Sequence, residues 1–377
     1  MSINGNGQIM GSKPMPRKPS LAGLIKAHWV FLVLVLILIL LPFGLALAYG
    51  DPVSALLTNQ AGNAKFIQGL MIEIFILAIF AISYDLVFGI TGLLSFGHAM
   101  FFAVGAYLTG FLLKSLGWSL LLTIGAVVLA GIIQALLFSV VLPRVKGITF
   151  ALVTLGLAAM FDIIIKTREL ADYTGADVGL QGIPRPIFLD PGDQRLRFYY
   201  VTLAFTILVY LIYRRFVNSP TGRVCIAIRE NENRAQMIGY NTFYFKLAVL
   251  IIASITAALG GMIYALFQPI VSPEIATLAF TVEGLLMILI GGIGTLSGAM
   301  VGAAVFKFMD FYLDKWFGDI SAYIIGLVYI ILVLFIPYGI VGTWRLRRLD
   351  IQAGRKRLMN LFTGNRSQES PPDPPVS

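Results

Sequence analysis

Apolar runs long enough to cross a bilayer recur along almost the whole chain, with short polar stretches between them. They fall at residues 29–49, 66–88, 98–113, 119–142, 148–165, 198–213, 245–267, 280–293, 296–313 and 321–342. A spanning helix needs about 20 apolar residues, so the pattern predicts an all-α, polytopic membrane protein with about ten transmembrane helices. The stretch 280–313 is too long for one crossing. Gly291-Gly292-Ile293-Gly294-Thr295-Leu296-Ser297-Gly298 breaks it, because glycine and hydroxyl residues favour a turn. A second interruption, Gly92-Leu93-Leu94-Ser95-Phe96-Gly97-His98, separates the second run from the third. Whether either interruption is a tight loop or a re-entrant segment stays open at this level.

Composition supports the bilayer as solvent. The chain is 58% hydrophobic and 12% charged, against about 25% charged in soluble domains, and its mean hydropathy is +0.85. The first run is longer than the roughly 7–15 residues of a secretory signal core, so it reads as a retained span. The net charge of +9 fits basic cytoplasmic loops better than nucleic-acid binding. Lys13, Arg17, Lys18 and Lys26 precede the first span, and Arg345, Arg347, Arg348, Arg355, Lys356, Arg357 and Arg366 follow the last. Both ends are therefore expected in the cytoplasm, with tails at 1–28 and 345–377, a transmembrane domain at 29–344, and the proline-rich end from Thr363 disordered. The same alternation puts Arg144, Lys146 and the basic stretch 214–234 inside. It puts 166–197, Asp51, Glu274, Asp314 and Asp319 outside.

Polar residues at membrane depth narrow the chemistry. Non-helical backbone survives there only when buried in protein or lining a water-filled cavity. Gly92 and Gly97 permit close backbone approach, and Ser95 and His98 either line a path or are satisfied in a packed core. Glu73, Asp85, Asp162 and Glu283 each cost about 2.5–3.5 kcal/mol on insertion and should face protein or water. Glu283 is expected near the outer mouth and Asp85 near the inner one. Lys307 and Asp310 are spaced to neutralise each other. Gly294, Gly298 and Gly302 form a smooth stripe suited to helix packing within this chain or against another subunit. One cysteine, two histidines and no Gly-Lys dipeptide leave no disulfide, no metal site and no phosphate-cradling loop. The chain does not read as an enzyme.

The most informative polar stretch is Asn218 to Lys246. Ser219-Pro220-Thr221-Gly222 supplies turn chemistry and Gly239 a helix stop. Between them about four turns of amphipathic helix are expected, with Val224, Ala227, Ile228, Ala235 and Ile238 sharing a face. Gly222-Arg223, the run from Ala227 to Glu232, Ala235 to Gly239 and Lys246-Leu247 closely resemble the coupling segment of permeases in ABC importers for branched-chain amino acids. The segments from Ser83 to Gly110 and from Ser272 to Phe306 resemble that family too, in the same order. Arg234-Ala235-Gln236 stands where the general importer loop has Glu-Ala-Ala.

The resemblance, to the larger LivM-type subunit, implies a type II importer permease fold in the cell inner membrane. It also implies a second permease subunit, two cytoplasmic ABC ATPases that use the ATP, and an external substrate-binding protein; this chain would bind no cofactor itself. Gly222, Arg223, Ile228, Arg229, Glu230, Asn231, Glu232, Ala235 and Gly239 would then form the ATPase contact, with Ile228 as an apolar anchor. Gly92, Ser95, Gly97, His98, Glu283, Gly291, Gly292, Gly294 and Ser297 would lie at or near the substrate path. Sister systems for urea or short-chain amides, and an ion-coupled secondary transporter, are the rival functions.

Overall fold

A computed structural model of the chain describes residues 21–50, 62–335 and 338–344. Most of the two predicted tails, and Asp51, lie outside the described residues. The chain divides at Ala64 into two units. The first contains α1, Leu21–Tyr49, which carries Pro42 in its interior and no acidic residue in its first turn. Its apolar side chains, Leu36 and Ile37 among them, are exposed, as a helix solvated by lipid would be.

The second unit holds the helices that carry the candidate residues. They are α2 (Gly62–Tyr84), α3 (His98–Lys114), α4 (Leu120–Ser139), α5 (Ile148–Lys166), α6 (Arg195–Val217), α7 (Pro220–Glu230), α8 (Glu232–Met237), α9 (Thr242–Phe267), α10 (Leu278–Gly291), α11 (Ser297–Phe317) and α12 (Ser321–Phe335). A single turn of π-helix, Asp85–Ile90, extends α2. Among the described residues six helices, α1 included, are long and apolar enough to cross a membrane, while α3, α10 and part of α12 are shorter apolar helices. The apolar runs in the sequence therefore coincide with helices, although α1 starts eight residues before the predicted 29.

Burial separates centre from periphery. The apolar windows of α2 and α9 are 78% and 61% buried, whereas those of α4 and α5 are 28% buried. Leu121, Ile148, Ile163 and Leu334 face outward, the inverse of a soluble surface. Close packing at the centre depends on glycine. A Cβ on Gly105 of α3 would strike the Ala258 backbone of α9, and one on Gly261 of α9 would strike the Phe102 carbonyl of α3. Ser254 of α9 donates to the Gly131 carbonyl of α4 at 2.8 Å, a polar tie of the kind that joins helices where water is absent.

Contacts sort the helix ends into two groups. At one end Lys114 donates to the Gln181 carbonyl (2.7 Å), Arg185 to the Gln268 carbonyl (3.0 Å) and Arg195 to the Lys65 carbonyl (3.1 Å). There β1 (Leu180–Gln181) pairs antiparallel with β2 (Ile270–Val271). At the other end lie α7, α8, the break after α2 and the break between α10 and α11. Consecutive long helices of the second unit alternate between these ends.

Candidate functional site

Local sequence chemistry builds α7 and α8. Ser219 caps α7, its Oγ accepting from Gly222 N at 3.2 Å with Pro220 in the first turn, the positions these residues favour. Gly222 leaves no room for a side chain against the Phe216 and Val217 carbonyls that end α6. The expected continuous helix is in fact two. Asn231 adopts φ −160°, ψ 101°, ending α7, and its Oδ1 accepts from Arg234 N at 2.9 Å to start α8. An asparagine at a helix boundary offers this alternative bond, and the Asn-Glu-Asn-Arg run carried the signal. Gly239, at φ +93°, closes α8: its N–H reaches the Gln236 carbonyl at 2.9 Å and Tyr240 N–H the Ala235 carbonyl at 3.2 Å, a Schellman closure.

The buried stripe also differs from expectation. Gly222, Cys225 and Ile228 of α7 and Ala235 of α8 face inward, so Ile228 is not available as an anchor for another protein. Ile238, predicted on that face, is 68% exposed, beside Met237 at 85%. Arg223, Glu230 and Asn231 are exposed. Glu232 turns inward: Lys246 Nζ binds its Oε1 at 2.5 Å and the Thr242 hydroxyl donates to it at 3.0 Å. Burial alone would raise the Glu232 carboxyl, but the Lys246 bond and charge, Thr242 and Lys146 outweigh it and hold it below the usual range. Burial pushes the Cys225 thiol up to about 11.

Arg229 joins α7 to both broken helices. Its Nη1 donates to the Gly89 carbonyl in the π-helical turn. A Cβ on Gly92 would lie 3.0 Å from Arg229 Cγ, and one on Gly294 would lie 2.7 Å from Arg229 Nη1. The arginine arm therefore occupies space that side chains would fill at both breaks. Asp85 ties the same breaks together. Its Oδ1 accepts from Gly294 N at 2.6 Å and its Oδ2 from Leu296 N at 2.9 Å, although it is fully buried. This places an anion at the opening of α11, where unsatisfied N–H groups and the helix dipole favour one. Leu296 is held at φ +47°, a conformation costly for any residue but glycine. Asp85 was expected near this end from charge alone; its two backbone partners, about 210 residues away, left no local sequence signal.

The other candidates separate into different places. His98 is fully buried, stacked on Tyr84 with ring centroids 4.6 Å apart. Ser83 donates to the Phe80 carbonyl at 2.6 Å, so His98 Nε2–H donates to Ser83 Oγ at 2.8 Å. His98 Nδ1 and Ser95 Oγ have no partner. Gly97 packs against the Thr154 carbonyl of α5. These residues form a packed core between helices and do not line an open path. Gly294 lies in the break at φ +74° and is not part of a helical stripe. Gly298 and Gly302 pack on Gly291 and Met287 of α10, so the partner helix is in this chain. Gly292, at φ +117°, lies against Tyr338 and Gly342. Ser297 opens α11, its hydroxyl donating to the Thr295 carbonyl at 3.1 Å.

Glu283 sits toward the end opposite α7, in the wall of a cavity shared with Glu73 and Lys307. Lys307 pairs with Asp310 as expected and also with Glu73 of α2, at 3.0 Å. Asp162 pairs with Lys166 at 2.9 Å. Among the described residues no group of three or more His, Cys, Asp or Glu could hold a metal ion.

The family profile described as branched-chain amino acid transport system / permease component matches residues 66–336. The high-affinity branched-chain amino acid transport system permease protein LivM of Salmonella typhimurium is 27% identical over 309 residues, 74% of this chain and 70% of the relative. LivM of Escherichia coli K12 is 27% identical over 71% of this chain and 68% of its own length. LivH of the same strain, also named a high-affinity branched-chain amino acid permease protein, is 24% identical over 70% of this chain and 91% of the relative. No solved structure shows significant similarity to the chain.

Proposed function

Because the chain belongs to the branched-chain amino acid transport system permease family, we propose that this multi-pass membrane protein is one permease subunit of an ATP-driven importer for leucine, isoleucine, valine and similar amino acids. It sits in the cell inner membrane with both termini in the cytoplasm. Likeness to both LivM and LivH supports a second, similar permease subunit beside it. ATP binds to two separate ATPase subunits, and an external binding protein delivers the substrate. The names of the relatives favour branched-chain amino acids over urea or short amides.

The observation that carries this reading is the joint at Arg229. Helices α7 and α8 present Glu230, Asn233, Arg234, Gln236, Met237 and Ile238 outward, a mixed polar and apolar surface suited to a groove on another protein. Arg229, exposed on the same helix, bonds to the Gly89 carbonyl of one broken membrane segment and lies against Gly294 of the other. A force applied to α7 and α8 therefore reaches the spans without passing through a flexible linker. Arg223, Glu230 and Asn231 contribute to the docking surface. Ile228, Glu232 and Ala235 support it from within.

The test is uptake of labelled leucine into proteoliposomes holding the permease pair and the ATPases. Uptake should require ATP and the ATPase subunits. Ile238→Asp should lower uptake and stimulated ATPase activity while membrane insertion and melting temperature stay unchanged. Uptake that persists without the ATPases, or an Ile238→Asp transporter that works normally, overturns the reading.

A further inference from the structure

At the end of the bundle away from α7, helices α2, α9, α10 and α11 enclose a cavity of about 610 Å3, within the range of roughly 300–1,000 Å3 usual for small-molecule sites. Ile76, Leu77, Phe280 and Phe306 give it an apolar wall. Its charges are unequally matched. Lys307 is engaged by Glu73 at 3.0 Å and Asp310 at 3.4 Å, and Gln268 Nε2 donates to Glu73 at 3.2 Å. Among the described residues none bonds to the Glu283 carboxylate. The Tyr329 hydroxyl, on a residue only 5% exposed, also lacks a partner and lies within the field of Glu283 and Asp310. With Glu274 the wall carries four carboxylates against one lysine, and unmatched carboxylates are costly at membrane depth, so the arrangement calls for a cation.

Helix α10 supplies the complementary group. It opens at the cavity, where Thr277 and Ala279 line the wall. Thr277 Oγ1 accepts from Phe280 N at 3.5 Å, so the Leu278 and Ala279 N–H groups are those left without an intrahelical acceptor at the positive end of the helix dipole. Glu283 follows Ala279 by four residues, about one helical turn. One short helix thus presents an anion-binding end and a free carboxylate on the same cavity, beside an apolar surface.

We propose that this cavity is a receiving site for free α-amino acids with aliphatic side chains. Glu283 takes the α-ammonium, the opening of α10 takes the carboxylate, and the apolar wall takes the side chain. The inference rests on the proposed function and places a substrate site within it.

The test uses the full chain in lipid nanodiscs, with tritiated L-leucine as probe and 3-methylbutylamine and 4-methylpentanoate as competitors. Saturable leucine binding is expected, displaced by the amine, which keeps the ammonium, far better than by the acid, which lacks it. Glu283→Gln should weaken leucine binding about tenfold or more, as loss of a charge-assisted bond does, and abolish the preference for the amine. Glu283→Asp, which keeps the charge, should retain that preference, and Glu169→Gln on the exposed loop of the same end should bind as wild type.

Absence of saturable leucine binding by the wild-type chain, or equal displacement by amine and acid, overturns the site even if a variant fails to fold. Normal affinity in a folded Glu283→Gln chain does the same. ATP-driven leucine uptake with an unchanged KM in the Glu283→Gln transporter removes this site but leaves the proposed function standing. Failure of the wild-type assembly to take up leucine removes the proposed function.

Discussion

Asp85→Asn tests whether the joint between the two broken helices depends on a carboxylate. Both oxygens of Asp85 accept backbone N–H groups, from Gly294 at 2.6 Å and Leu296 at 2.9 Å. Asparagine is nearly the same shape but keeps only one acceptor oxygen; its amide nitrogen would face an N–H donor. One charge-assisted hydrogen bond is lost, about 1.5–3 kcal/mol, and one buried N–H is left unsatisfied, about 1–3 kcal/mol. Relaxation of Leu296 from its positive φ returns part of that, up to about 1–3 kcal/mol. The net expected loss is about 2–4 kcal/mol on these terms. Unfolding of the purified chain in mixed micelles, titrated with a denaturing detergent, measures it. The same variant in the assembled transporter should hydrolyse ATP with reduced uptake per ATP, because the opening of α11 no longer follows the end of α2. A variant within about 0.5 kcal/mol of wild type, the range of neutral surface changes, with normal uptake per ATP, would refute the reasoning.

Three further outcomes follow from the same geometry. Gly294→Ala should destabilise the wild-type chain but do less harm in an Arg229→Ala background, because the added methyl meets Arg229 Nη1; a double-mutant cycle should give a coupling of about 0.5–3 kcal/mol. The Glu232 carboxyl is held below its unfolded value, so its contribution to stability is present above the ordinary carboxyl range and lost as pH falls through the depressed folded value. Melting temperatures across that window should show the loss in wild type and a flatter profile in Lys246→Met. Cys225 is fully buried and its thiol is pushed up to about 11, so N-ethylmaleimide should label the native protein at neutral pH far more slowly than the unfolded chain. Rapid native labelling would mean that α7 leaves the bundle on its own.

Much of this architecture was legible in the sequence because a bilayer imposes a repeating demand on it. Every spanning helix needs a long apolar run, so each run predicted a helix, and the glycine clusters predicted the breaks. The features that escaped were those set by distant contacts. Ile228 and Ile238 are both apolar on an amphipathic segment, yet the cap at Asn231 rotates α8 relative to α7, so one is buried and the other exposed. Lys307 had a visible partner three residues away, but its second partner, Glu73, is 234 residues earlier in the chain. Gly294 matched a helix-packing stripe by spacing, but the turn it belongs to ends before α11 begins.

The likeness between Gly92-Leu93-Leu94-Ser95-Phe96-Gly97 and Gly294-Thr295-Leu296-Ser297-Gly298 has a physical counterpart in where the two breaks lie. They meet at Asp85 and Arg229, each at the end of a helix whose body reaches the cavity. Glu73 precedes Asp85 by 12 residues and Glu283 precedes Gly292 by nine, about 18 Å and 14 Å of helical rise. Helices α2 and α10 therefore each carry a wall of the cavity at one end and a piece of the joint at the other. A packed helix transmits a tilt along its length more readily than it absorbs one. Displacement of Arg229 consequently bears on two walls of the cavity at once, whereas a joint holding only one of these helices would bear on one.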